Sequence, residues 1–184
     1  MRVLEIRRHS LTKKGTGRGS GSHLSQEGVA LARQIGQTAG PFDRVLVSPV
    51  PRTIETAIAM GFAVDDVLPA LGPEDGKLFA EVGHHERWTW EQPFVEFDRL
   101  VRLGGVTALL GQLQVEAWRR ILASLPAGGH ALAISHGRVI ECGLVACLPQ
   151  ADYAAWGAPF RHCEGVRLVE DDRHAFEAEL LRLP

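Results

Sequence analysis

The chain has 184 residues, 20 Lys and Arg against 22 Asp and Glu, three cysteines and a hydrophobic fraction of 45%. That composition excludes a disordered chain, a collagen-like repeat and a disulfide scaffold, and the length suits one core, so one domain over 1–184 is expected. The near-neutral total hides an asymmetry: Met1–Arg52 carries nine Lys and Arg but three Asp and Glu, and the remainder carries eleven and nineteen. An excess of cations in the first third points to an anionic partner.

Val3–Ile6 is β-rich and feeds a Gly, Ser and Lys segment, Lys13–Ser22, which reads as a loop. Ser25 is placed to cap a helix whose apolar positions Val29, Leu31, Ala32, Ile35 and Ala39 recur at helical spacing before Gly40-Pro41. Arg44–Val47 is a strand, and Ser48-Pro-Val-Pro-Arg52 leads into a helix from about Thr53 to Met60. Phe62–Leu68 reads as a further strand, and Pro69–Gly83 mixes turn residues with acids. Phe94–Val101 and Val106–Leu125 are amphipathic helices, His130–Ser135 is a buried strand, and Arg138–Leu148 is helical. Gly165–Val169 and Ala175–Leu183 close the chain as a hairpin. Alternating strands and helices predict an α/β fold: a mainly parallel central sheet with helices on both faces and an antiparallel addition at its edge.

The N-terminus lacks the apolar stretch of an export signal, and Ala131–Leu148 is broken by His136, Arg138 and Glu141, so a cytoplasmic protein with no membrane partner is expected. Cys142, Cys147 and Cys163 lack metal-ligand spacing and read as structural thiols. His84-His85-Glu86 has no third ligand at usable spacing, and the alternating glycines of Gly15–Gly21 miss the dinucleotide-loop register. Trp88, Trp90 and Trp156 are assigned to the core. Nothing patterns a nucleic-acid face.

Ligands of open α/β sheets collect at the carboxyl ends of the strands. Three such ends are chemically loaded: Arg7-Arg8-His9-Ser10, Ser48-Pro-Val-Pro-Arg52 and Ser135-His136-Gly137. Arginine forks match phosphate oxygens, and imidazole can attack phosphorus or, once protonated, bind an oxyanion. Together they point to a small phosphorylated ligand.

These motifs resemble those of the histidine phosphatase, or phosphoglycerate-mutase-like, superfamily. Leu4-Glu-Ile-Arg-Arg8-His9-Ser10 is similar to its strand–Arg-His-Gly, and Leu24-Ser-Gln-Glu-Gly28 to its Leu-Ser-x-x-Gly. Ser48-Pro-Val-Pro-Arg52-Thr-Ile-Glu-Thr56-Ala57 matches its Ser-Pro-x-x-Arg-x-x-x-Thr-Ala, and Ile134-Ser135-His136-Gly137 its late Ser-His-Gly. The resemblance implies a three-layer, phosphoglycerate-mutase-like sandwich and a phosphatase without metal or cofactor. His9 would be the nucleophile, with Arg8, Arg52 and His136 holding the phosphoryl oxygens and Thr12 adding a hydroxyl. Its proton donor would be Glu81, in Leu78-Phe-Ala-Glu-Val, or alternatively Glu74, while members directed at phosphohistidine need a weaker acid or none. Two departures stand out: Ser10 replaces the motif's Gly, and Gly15 stands where mutase-like members often carry Asn. The alternatives are a cofactor-dependent phosphoglycerate mutase, whose relatives carry longer insertions, and a non-catalytic phospho-ligand binder. Substrate identity and oligomeric state are not encoded in any motif.

Overall fold

The computed structural model describes residues 1–13, 21–72, 77–83, 89–171 and 175–184. Six strands form one sheet: β1 (Arg2–Arg8), β2 (Arg44–Val47), β3 (Asp66–Val67), β4 (His130–Ser135), β5 (Gly165–Glu170) and β6 (Phe176–Leu181). Their order is β3-β2-β4-β1-β5-β6. The first four in that order are parallel to one another, and β5 runs antiparallel to both β1 and β6, which supplies the expected edge hairpin.

Helices α1 (Gln26–Gly36) and α2 (Pro51–Ala59) cover one face; α3 (Lys77–Val82), α4 (Pro93–Arg102), α5 (Val106–Ser124) and α6 (Val139–Cys147) cover the other. Strand alternation assigns the side chains to these layers. In β4, Ala131 and Ala133 join the core beneath α5 and α6, whereas Leu132 and Ile134 join the core beneath α1 and α2. In β1, Leu4 and Ile6 enter the larger core; Glu5, buried between them, takes Arg7 Nε at 2.6 Å and Arg167 at 3.2 Å. Cys142 and Cys163 are buried in the two cores, in keeping with packing thiols.

Local chemistry starts and stops the helices. The Ser25 hydroxyl accepts from Gly28 N–H at 3.1 Å at the head of α1, and Pro51 and Pro93 open α2 and α4 where a missing N–H is harmless. Phe62–Leu68 contributes only the two residues of β3 to the sheet. The segment before it is diverted by Phe62, whose ring sits 5.0 Å from Phe42, and by Asp65, which exchanges hydrogen bonds with Val45. Pro69–Gly83 contains a short 3₁₀ turn at Pro69–Leu71 and then α3. No described helix is long and apolar enough to cross a membrane.

Helix α6 carries the residues that follow His136, and α5 packs on it closely at Gly143. A Cβ there would lie 2.3 Å from Trp118 Cη2 and 2.7 Å from Gln114 Cβ, and Trp118 is fully buried. We expect Gly143→Ala to cost about 1–3 kcal/mol through overpacking, read as a lowered urea midpoint. An unchanged midpoint would show that α5 and α6 can separate freely.

Candidate active site

At the end of β1, backbone bonds fix the approach of three strands. Arg8 N–H donates to Glu164 O at 2.8 Å and His9 N–H to Ser135 O at 2.9 Å, so His9 emerges between β4 and the start of β5. His9 and His136, both almost fully buried, bring their ring centroids to 5.2 Å. His9 Nδ1 lies 2.7 Å from the Ser10 carbonyl oxygen. A carbonyl only accepts, so Nδ1 carries the proton and Nε2 keeps its lone pair. Ser10 is itself held by Thr56, which accepts its N–H at 2.9 Å, and by Gly28, whose carbonyl accepts its hydroxyl at 2.7 Å. The helix α1 can come this near because Gly28 has no side chain: a Cβ would meet Leu11 O at 2.1 Å.

His136 belongs to a second ordered chain of bonds. Arg52 donates to His136 Nδ1 at 3.1 Å, which makes Nε2 the protonated nitrogen facing Ser48 Oγ at 2.8 Å. Ser48 in turn bonds Thr53 Oγ1 at 2.9 Å, and Thr53 donates to backbone carbonyls of Ser48 and Val50. The charges agree with neutral rings. Burial first, then His136, Arg52 and Arg8, hold His9 well below the ordinary histidine range, against the opposing pull of the Ser10 carbonyl. Burial, then Arg52, Arg8 and Arg138, depress His136 in the same way.

The arginines are also desolvated. Arg52 is pushed down to about 10 by burial and by Arg8, which leaves it cationic at neutral pH. Arg8 donates one terminal N–H to Phe160 O at 2.7 Å, while its buried Nε has no hydrogen-bond partner among the described residues. Gly137 lies flat against this guanidinium; a Cβ there would sit 3.3 Å from Arg8 Cζ and Nε. Behind it, fully buried Glu141 accepts Phe160 N–H at 3.0 Å and the Arg138 N–H. Glu141 and Glu164 partly offset the cost of burying Arg8. The result is two part-buried guanidiniums and two neutral imidazoles, with His9 Nε2 left unprotonated and one donor unmet. Such a set of groups can accept a tetrahedral oxyanion.

Residues 6–182 match the family model of the histidine phosphatase superfamily, branch 1. The chain belongs to this superfamily. No curated protein matches it by sequence. Its fold is similar to that of an Entamoeba histolytica phosphoserine phosphatase solved with 3-phosphoglyceric acid (17% identity, TM-score 0.70, 99% of this chain and 96% of that one). A mycobacterial glucosyl-3-phosphoglycerate phosphatase solved with VO3 superposes with TM-score 0.69 at 18% identity, over 100% of both chains. A Bacillus anthracis phosphoglycerate mutase gives 0.67 at 18% identity, over 97% of this chain and 91% of that one.

In this histidine phosphatase fold, Arg8, His9, Arg52 and His136 are brought together from the ends of β1 and β4 and the first turn of α2. Thr12 lies apart from their hydrogen-bond network, paired with Leu24 in an isolated β-bridge. Glu81 caps α5: its carboxylate accepts Val106 N–H at 2.7 Å, Thr107 N–H at 2.8 Å and the Thr107 hydroxyl at 2.7 Å. Those bonds, led by the Thr107 hydroxyl, lower its pKa and commit both carboxylate oxygens to the head of α5. Glu74, Gly15 and His84-His85-Glu86 lie outside the described residues. Ser10 needs no glycine-like φ, and its hydroxyl is spent on Gly28 and not on the pocket. Ser48 and Thr56 belong to the Ser-Pro-x-x-Arg-x-x-x-Thr-Ala motif but have no role assigned from sequence, nor does Glu141, and His162 falls in no motif; its ring centroid is 5.5 Å from that of His9. Among the described residues, no group of three His, Cys, Asp or Glu is arranged to hold a metal ion.

Depressed histidine pKa values have a defined effect on stability. Below the unfolded histidine pKa, the unfolded chain binds protons that folded His9 and His136 refuse, so stability falls as pH falls. Between about pH 7.5 and about pH 5.5 the protein should lose roughly 2–3 kcal/mol more than a His9→Asn, His136→Asn double variant, measured by urea unfolding. Parallel pH curves for the two proteins would show that the rings protonate freely in the folded state.

Proposed function

We propose that this histidine phosphatase superfamily member is a metal-independent phosphatase that hydrolyses a small phosphomonoester, or a phosphohistidine, through a covalent phosphohistidine on His9. The observation that carries the reading is the hydrogen bond of His9 Nδ1 to the Ser10 carbonyl: it leaves Nε2 unprotonated and nucleophilic, beside His136 and in a site where Arg8 Nε awaits an acceptor.

The phosphoryl group enters between Arg8, Arg52 and His136, and its negative charge reverses the pressure that holds both rings neutral. Arg52 turns from His136 Nδ1 toward a phosphoryl oxygen, and His136 binds another oxygen as it gains a proton. Loose phosphoryl transfer needs little beyond alignment and neutralised equatorial charge, which this set supplies. His9 Nε2 forms a bond to phosphorus as the ester oxygen leaves, and water then cleaves the phosphoramidate. A pure binder would have no use for an oriented, unprotonated Nε2, which favours turnover. Small phosphorylated carboxylates are sensible first substrates, given the compounds named with the similarly folded enzymes.

Brief mixing with a ³²P-labelled phosphomonoester should trap an acid-labile, alkali-stable label on the wild type and none on His9→Ala. The same substitution should lower turnover by about 10³-fold or more. Arg52→Ala should lower kcat/KM by about 10²–10³-fold, as expected for loss of one preorganised donor. Phosphate release that persists in His9→Ala would exclude the mechanism, and isomerisation of 3-phosphoglycerate with its bisphosphate would indicate a mutase.

A further inference from the structure

The proposed reaction needs a proton donor for the leaving oxygen. Glu81 is engaged as the cap of α5, where Gly105 offers no side chain of its own to satisfy the first N–H groups. Against His9 itself stands another titratable ring: that of His162, half-buried, its centroid 5.5 Å away in an edge-on arrangement.

The turn that carries His162 is built to hold it there. Cys163, next in the chain, takes φ +61°, a left-handed conformation that side-chain-bearing residues rarely adopt. It is kept so by two bonds to β1, from Cys163 N–H to Arg8 O at 3.0 Å and from Arg7 to Cys163 O at 2.8 Å. On the other side, Glu164 accepts both the backbone N–H of Arg161 at 2.7 Å and its Nε at 2.8 Å. His162 is therefore clamped between two residues that are each tied down, and the clamp is anchored on the residues that immediately precede His9.

We propose that His162 is the general acid and base of the proposed phosphatase reaction, an inference that rests on the His9 reading above. As imidazolium, His162 gives its N–H proton to the ester oxygen while the P–O bond breaks and His9 Nε2 bonds to phosphorus. The alcohol leaves and His162 is neutral. It then takes a proton from the attacking water as the new O–P bond forms and the N–P bond breaks, which returns the electron pair to His9 and the proton to His162. Ester and water become alcohol and phosphate with both rings restored.

The test compares leaving groups in His162→Gln, which keeps a polar side chain of similar reach. The kcat/KM is read because it ends at the phosphoenzyme. For an alkyl phosphate, whose leaving oxygen needs a proton, it should fall about 10²–10⁴-fold; for p-nitrophenyl phosphate, whose leaving group departs as an anion, at most about tenfold. Trapping of the phosphohistidine from p-nitrophenyl phosphate establishes that the variant is folded and that His9 works. Equal losses on the two esters, or no loss on either, would overturn the role of His162 and leave the His9 reading intact. A wild type that forms no phosphohistidine would overturn both.

Discussion

The short hydrogen bond between His9 Nδ1 and the Ser10 carbonyl determines what the site can do. An imidazole free to exchange tautomers presents its lone pair on either nitrogen; this one presents it on Nε2. The bond is only as firm as the peptide that makes it, and the other polar groups of Ser10 are anchored on two helices, at Thr56 of α2 and Gly28 of α1. Thr56 also donates to the Arg52 carbonyl at 2.6 Å, so the peptide that orients His9 and the turn that carries Arg52 share one hydroxyl. A serine in place of the family's glycine thus fastens the loop to α1 through a bond glycine lacks.

Much of this was legible because the chemistry of parallel strands is local. Arg8, His9, Arg52 and His136 each follow within a few residues of a strand end, and strand ends converge in an open sheet whatever the intervening chain does. His162 escaped that logic for a geometric reason. It precedes β5, and β5 runs antiparallel to β1, with Gly165 paired to Arg7, so its beginning and not its end lies beside the site. Searching the residues that lead into an antiparallel neighbour would have found it.

Glu81 shows the opposite case. Its local pattern fitted a proton donor, but the head of α5 is a cluster of unsatisfied N–H groups behind a glycine, and the nearest carboxylate fills that need. The claim on Glu81 comes from residues 25 and more positions away, which no local motif reports. The early basic excess was likewise read only in part. Arg8 and Arg52 serve the pocket, but Arg7 pairs with Glu5 beneath the sheet and Arg44 sits 3.7 Å from Asp66 at its edge.

Arg8 sits with a buried donor unmet, beside a second desolvated guanidinium and two rings kept from protonating. An unmet buried donor among like charges is a local frustration that the fold tolerates. Such a pocket would relax around any tetrahedral oxyanion, the product of the proposed reaction included. Under that mechanism the groups that draw a phosphorylated substrate in would also hold inorganic phosphate, so that release would compete with bond breaking as the slow step.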